Sequence, residues 1–389
     1  MASRTAVVTG MIATYPVGGV LWDYGQYALG LERLGFDVYY LEDTGCPTYD
    51  PTSGSYGDDC SYAVEFLGSE LGRLSPSLGR RWYLRAANGR PYGLSPAEFS
   101  DVVARADLFL NVSGGTLLRD EYMLCPRKVL IDSDPGWNHF VNYPKWDANP
   151  GWLGSHGYRA HDYFFTYAER IGRAGCMLPT FGLDWQPTRP PVILDCWRPE
   201  PPGAAWTTVM TWDNFRRPIE SGARTYGTKE KEFARVEALP GRVRAPLEIA
   251  VGGDTAPRDH WRALGWSVAD SHAVSRTAND YRSYVQRSRG EFSVAKNVYV
   301  ATGSGWFSCR SVCYLAAGRP VVVQDTGFSE IVPTGEGLFA FSDLAGAADG
   351  IEQVEADYAR HQDAARGLAR AYFDSDTVLG ALLERVGLG

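Results

Sequence analysis

The chain has 389 residues, 44% of them hydrophobic and 22% charged, which is the balance of a folded globular protein and predicts two domains, or three. The formal net charge of -8 excludes a general nucleic-acid-binding surface and leaves room only for a local cationic pocket. No apolar run approaches the ~18 residues that cross a bilayer, and Met1 to Gly10 lack the apolar core and cleavage site of a signal peptide, so the expected compartment is the cytoplasm. The seven cysteines, at 46, 60, 125, 176, 196, 309 and 313, show no CxxC spacing. Neither a zinc knuckle nor a disulfide framework is expected, and all seven read as reduced.

The chain opens strand, Gly-rich loop, helix, strand. Ala6-Val7-Val8-Thr9 is a short apolar run, Pro16 to Val20 interrupts it, Leu21 to Leu34 has helical spacing, and Gly35 stands where a helix ends. Phe36 to Leu41 is the second strand, so the opening is a βαβ unit and predicts a parallel sheet. Further strands are predicted at Leu108 to Val112 and Lys128 to Ile131, each ending in a polar or Gly-rich turn. Residues 136–167 are crowded with aromatic residues and His in no helical pattern and read as loops and short elements. Residues 187–206 are Pro-rich and read as a linker. The strand–helix pattern restarts with Thr207 to Thr211, Leu247 to Val251, Ser267 to Ala269, Phe292 to Ala295 and Pro320 to Val323. The last thirty-odd residues read as helix broken near Phe373-Asp374-Ser375. The predicted fold class is therefore α/β, with two Rossmann-like doubly wound domains facing each other across a cleft. The expected division is 1–186, a linker at 187–206, 207–372, and a C-terminal helix at 373–389 that crosses back to the first domain.

In open α/β sheets, ligands bind beyond the carboxyl ends of the strands. The residues there are small, polar or glycine, as a phosphate or sugar requires. They are Gly18-Gly19, Ser113-Gly114-Gly115 and Asp132-Ser133-Asp134 in the first half. In the second they are Thr211 with Trp212-Asp213-Asn214, Gly252-Gly253-Asp254, Lys296-Asn297, Ser304 to Ser308 and Gln324 to Gly327. The sharpest segment runs from Thr302 to Ser311, where a Gly-rich loop with Gly303 and Gly305 opens a helix ending at Gly318. A helix start offers free N–H groups and partial positive charge. With Ser308, Ser311 and Arg310 it makes an anion cradle, or else a plain Ser-capped helix with Arg310 in solvent. A dinucleotide fingerprint is absent, because Gly303-x-Gly305 lacks its third glycine.

The run Ala317-Gly318-Arg319-Pro320 to Val332, followed by Gly337-Leu338-Phe339, resembles the donor-site signature of GT-B glycosyltransferases. In that superfamily a helix ends in Gly-x-Pro, and a strand, a small-residue turn and a Glu follow. The Gly18-Gly19 loop with its helix resembles the superfamily's N-terminal domain. One departure stands out: retaining members carry two Glu eight residues apart, and Gly305 and Cys313 occupy those positions here. The resemblance implies a nucleotide-diphosphate sugar, with UDP or dTDP as carrier, on the second domain. Gly305, Ser308, Arg310 and Ser311 would hold the diphosphate, Lys296 would neutralise it as it leaves, and Glu330 would accept from sugar or ribose hydroxyls. Thr211, Asp325, Thr326 and Gly327 complete the donor set, Gly18 and Gly19 face it from the first domain, and Val268 to Ser271 form the edge that meets the base. No Asp-x-Asp pair stands at the donor site, so no obligatory metal or further cofactor is expected.

The acceptor, a small molecule or glycan, is expected against the first domain. Asp132 and Asp134 are candidate general bases, provided they come within ~3 Å of the acceptor hydroxyl; Asp-Ser-Asp-Pro-Gly is equally good turn chemistry. His139 and His161 are alternative bases, as is Asp23 on the first helix. The expected activity is hexosyl transfer to an acceptor hydroxyl, with closure about residues 187–206 excluding water. A nucleotide-sugar epimerase of the same fold and a non-catalytic sugar-nucleotide-binding protein are the alternatives.

Overall fold

The computed structural model describes residues 3–212 and 218–389; Asp213 and Asn214, singled out above, lie outside the described residues. Thr5–Thr9 is buried at every position, and helix Gly18–Arg33 buries Leu21, Trp22, Tyr27, Ala28 and Leu31 against it. Gly35 takes φ +90°, a left-handed conformation that ends the helix at little steric cost. Asp37–Glu42 then pairs with Thr5–Thr9 in parallel.

The first sheet has eight strands, in the order Trp185–Pro187, Tyr163–Thr166, Lys128–Asp132, Leu108–Val112, Thr5–Thr9, Asp37–Glu42, Trp82–Arg85, Pro91–Gly93. All neighbours run parallel except the last two. The order reverses between Thr5–Thr9 and Leu108–Val112, which opens a crevice at their carboxyl ends. The second sheet has six strands, all parallel: Ser267–Asp270, Leu247–Gly252, Trp206–Thr211, Gly290–Ser293, Val321–Gln324, Leu338–Phe341. Its reversal falls between Trp206–Thr211 and Gly290–Ser293. Residues 136–167 form short helical pieces and loops before strand Tyr163–Thr166, as their irregular spacing predicts.

The Pro-rich stretch packs against its surroundings. Val192, Ile193 and Trp197 are fully buried. Gln26 of the first helix accepts from the Ile193 amide (3.1 Å) and the Trp197 indole (3.0 Å), and Trp197 lies 4.9 Å from the Trp22 ring. At the C-terminal end, Tyr358–Tyr372 stops at Phe373, and Asp374 caps the next helix, Ser375–Arg385. That helix lies on Gly18–Arg33, where a side chain at Gly30 would meet Leu379 at 2.5 Å.

The halves also meet beside their sheets. The Gly18 and Gly19 amides donate to Ser275 O (2.6 Å) and Ser275 Oγ (3.0 Å), and the Trp22 indole donates to Ala278 O (2.9 Å). The two glycines were expected to face a donor; here their amides are committed to the second half. A Cβ on Gly18 would stand 2.0 Å from Thr277 O, so glycine is needed for close approach of two backbones. Among the described residues, no helix is long and apolar enough to cross a membrane.

Candidate functional site

At the second sheet's reversal, strand Gly290–Ser293 leads into Val294, Ala295 and Lys296, and Lys296 starts the short helix Asn297–Thr302. Beside it, Ser308 caps helix Cys309–Ala316, with its hydroxyl accepting from the Arg310 amide. Ser293, Ala295, Ser308, Arg310, Gln324 and Thr326 line a cavity of about 20 Å³, room for about one water.

Arg310 does not stand free. Its guanidinium spans the reversal, donating to Val209 O (2.8 Å), Ser293 Oγ (2.5 Å) and Glu291 Oε1 (2.5 Å). Burial alone would weaken its charge, and the Glu291 carboxylate more than restores it, so its pKa is raised. The free cationic hand expected at this position is thus a fixed strut, and its charge still contributes to the local field. Glu291 is fully buried, and its second oxygen has no hydrogen-bond partner among the described residues.

Sequence reasoning missed Lys229. It opens helix Lys229–Phe233, in the connection after strand Trp206–Thr211, and is 9% exposed. Burial, then the charges of Arg310 and Lys296, push its pKa well below the usual lysine value. No hydrogen bond to its ammonium is seen among the described residues. A buried cation beside two others is unfavourable unless an anion joins them. The chain has only five lysines, so a lysine at a helix start after a strand was the available signal.

The glycines of the loop make room for a side chain of the first half. A Cβ on Gly305 or Gly327 would stand 2.9 or 2.8 Å from the aliphatic stem of Arg170, and one on Gly303 would stand 3.1 Å from its guanidinium. Arg170 comes from the first half; its amide donates to Ser304 O (3.1 Å) and its guanidinium to Gly303 O (3.2 Å). Glu330, expected to meet sugar hydroxyls, forms an ion pair with Arg170 at 3.1 Å. Asp325 is a turn residue that accepts from the Gly327 amide (2.8 Å) and the Ser329 hydroxyl (2.6 Å). Thr326 donates to Trp306 O (2.6 Å). Ser311, in the first turn of the helix, is buried and lines the same cavity as Ser308, and Thr211 is exposed at its strand's end.

The first-half candidates separate sharply. Asp132 and His139 are both fully buried. His139 Nε2 lies 2.9 Å from Asp132 Oδ2 and Nδ1 lies 2.7 Å from Pro179 O. Asp132 also accepts from Asn138 (2.6 Å) and Thr166 (3.2 Å). Neither residue can reach an acceptor; together they anchor the turn that carries Asp134. His161 is likewise interior, bonded to Tyr158 O and Asn111, with its pKa lowered to about 4 by burial. Asp23 sits half-buried where the first helix approaches Cys309; burial raises its pKa to about 6 and the Cys309 thiol opposes that.

Asp134 faces the second half. Its Oδ2 takes the Lys296 ammonium and its Oδ1 the Tyr299 hydroxyl, each at 2.5 Å. It also accepts from the Trp137 amide (3.3 Å), the N-cap role that turn chemistry predicts. The structure thus brings together Asp134, Lys296, Lys229, Arg310 and Ser308; it leaves Asp132 and His139 in internal bonds, Asp325 in its own turn, and the exposed Glu330 paired with Arg170. The seven cysteines are unpaired. Among the described residues, no group of three or more His, Cys, Asp or Glu could hold a metal ion.

No sequence-family model matches the chain, and no curated protein matches it in sequence. Solved structures do match over nearly the full length. AviGT4, a glycosyltransferase involved in avilamycin A biosynthesis, is 14% identical with TM-score 0.54, covering 99% of this chain and 97% of its own. Anabaena HepE in complex with UDP and glucose is 11% identical with TM-score 0.55, covering 99% of each. An α-glucosyltransferase in complex with UDP and a 13-mer DNA is 11% identical with TM-score 0.56, covering 99% of this chain and 100% of its own.

Proposed function

The chain has the GT-B fold, and on that premise we propose that it is a glycosyltransferase, moving a hexosyl group from a nucleotide-diphosphate sugar to an acceptor hydroxyl. The observation that carries this reading is Lys229, a buried lysine with no hydrogen bond to its side-chain nitrogen seen among the described residues, beside Arg310 and Lys296 and the Ser308-capped helix tip. A diphosphate supplies the anion this arrangement lacks. The site lies at the reversal of the second sheet, where such folds take nucleotides. The bound UDP of HepE and of the α-glucosyltransferase supports a uridine carrier, with dTDP as its near analogue.

In the reaction, the bond from the anomeric carbon to the diphosphate breaks and the acceptor oxygen forms the new one. Negative charge grows on the leaving diphosphate, and fixed cations there lower the barrier without reorganising. Lys229 and Lys296 contact it, the amides at the helix tip bind it, and Arg310 adds its field from beneath. Asp134, at the carboxyl end of strand Lys128–Asp132, is the acceptor-side carboxylate of this reading. The three side-chain cations support transfer without an obligatory metal. The acceptor class stays a small molecule, natural product or glycan.

A thermal-shift panel of nucleoside diphosphates and their sugars tests the donor, followed by release of nucleoside diphosphate with acceptor pools. A ligand at 100 times its Kd stabilises the native state by about 2.7 kcal/mol, and the account expects UDP or dTDP compounds to do so. Lys229→Met should weaken that binding by about tenfold or more, the equivalent of ~1.4 kcal/mol from one charged contact. A panel in which no nucleotide raises the melting temperature contradicts the reading. Turnover of donor without any acceptor-dependent release would point to the epimerase instead.

A further inference from the structure

We propose that Lys296 changes partners during the catalytic cycle: Asp134 holds it when no donor is bound, and the donor diphosphate takes it over, releasing Asp134 for the acceptor. The inference rests on the transferase reading above and deepens it by giving an order to the two substrates.

The geometry is specific. One carboxylate from the first half has both oxygens engaged by the second, Oδ2 by Lys296 and Oδ1 by Tyr299. Lys296 is 14% exposed and Asp134 31%, so the pair is partly shielded from water. Lys296 precedes helix Asn297–Thr302 and Tyr299 lies within it, so one short element presents both donors. The neighbourhood is braced: the Trp306 indole donates to Ser133 O (2.9 Å), next to Asp134, and Trp306 stacks on Tyr299 at 4.4 Å. While Lys296 holds Asp134, its ammonium occupies the oxygen a hydroxyl would approach, so the carboxylate is blocked as a base.

Charge count explains why the partner changes. Arg310 is balanced by Glu291 and Lys296 by Asp134, while among the described residues no carboxylate is seen bonded to Lys229. A diphosphate entering beside Lys229 brings two or more negative charges, against the single one of Asp134. Lys296 gains more from the phosphate than from the carboxylate, and Asp134 keeps only Tyr299 and its cap. The acceptor O–H can then give its proton to Asp134 as the anomeric carbon leaves the diphosphate oxygen for the acceptor oxygen. Lys296 remains an ammonium throughout. Donor therefore binds before acceptor, and Asp134 is a base only when a donor is present.

The test uses UDP as the probe and the full chain. The account expects Asp134→Asn to tighten UDP binding about fivefold, the equivalent of the ~1 kcal/mol of a partly exposed ion pair. Asparagine still caps the Trp137 amide, and Asp134→Ser, another capping residue, should tighten UDP binding to the same degree. Lys296→Met should weaken UDP binding, and in that background Asp134→Asn should have no further effect. Asp134→Asn that leaves UDP affinity unchanged or weaker overturns the partner exchange. So does tightening that persists in full in the Lys296→Met background, since that is general field relief and not competition for the ammonium. If the unaltered chain binds no nucleoside diphosphate at all, the transferase reading fails first, and the two failures are distinct.

Discussion

Asp23 shows how a single carboxyl in this interface sets a pH dependence. Burial raises its pKa to about 6, with the Cys309 thiol pulling it back, against roughly 3.9 in an unfolded chain. Between those values the folded state binds the proton more strongly. The group therefore contributes its stability below about pH 4 and loses it as pH rises to 6. At neutral pH the charged form costs about 1–2 kcal/mol, after allowance for its half-exposed position. Asp23→Asn should raise the melting temperature at pH 7.5 and leave it unchanged at pH 4, measured by calorimetry. Equal shifts at both pH values would place the effect in packing instead. His161 has the opposite sign: with its pKa lowered to about 4 by burial, it favours the native state above pH 6.5 and loses that contribution as pH falls toward 4. Lys229 shows what residue types alone conceal, since its place at a helix start in Thr228-Lys229-Glu230 marks the position without announcing the burial.

At the scale of elements, the loop from Thr302 to Ser308 is a docking surface for Arg170. Its glycines were legible as positions of close approach, because a missing Cβ says that something comes near. What comes near is an arginine stem from the first half, and sequence spacing carries no information about that partner. Gly305 combines φ +77° with a Cβ position 2.9 Å from Arg170 Cγ. Gly305→Ala should cost about 1–3 kcal/mol, part backbone strain and part contact. Replacing Arg170 by alanine as well should recover the contact part, read as a melting temperature higher than additivity allows. Strict additivity would deny that the glycine serves the arginine. Where sequence and element agreed, the reason was equally local. Val321–Gln324 and Leu108–Val112 are buried at every position in parallel sheets and read as nearly continuous apolar runs, with Gln324 and Asn111 the only polar residues. Strands Pro91–Gly93 and Trp185–Pro187 were missed because three residues at a sheet edge hold no period.

For the whole molecule, the two-sheet plan follows from the alternation of strand and helix and from the loops that follow each strand. The seam between the halves did not follow. Proline between Pro187 and Pro202 suggested a linker, and within it Trp197 packs on Trp22 and Gln26 binds the backbone. A proline-rich composition limits backbone conformation without saying what the intervening Val192, Ile193 and Trp197 bury against. The same contrast holds at the site. Lys296, Ser308 and Asp134 could be singled out because helix starts and strand ends have sequence marks, whereas the pairing of Asp134 with Lys296 depends on how two separately legible halves face each other. The central claim is that the cluster of Lys229, Lys296 and the Ser308-capped helix tip grips a diphosphate. A crystal soaked in UDP measures this most directly. The account predicts two phosphates at the tip, within hydrogen-bond reach of both ammonium groups, and the Lys296–Asp134 contact broken. Saturable binding in solution with phosphates found anywhere else would contradict it.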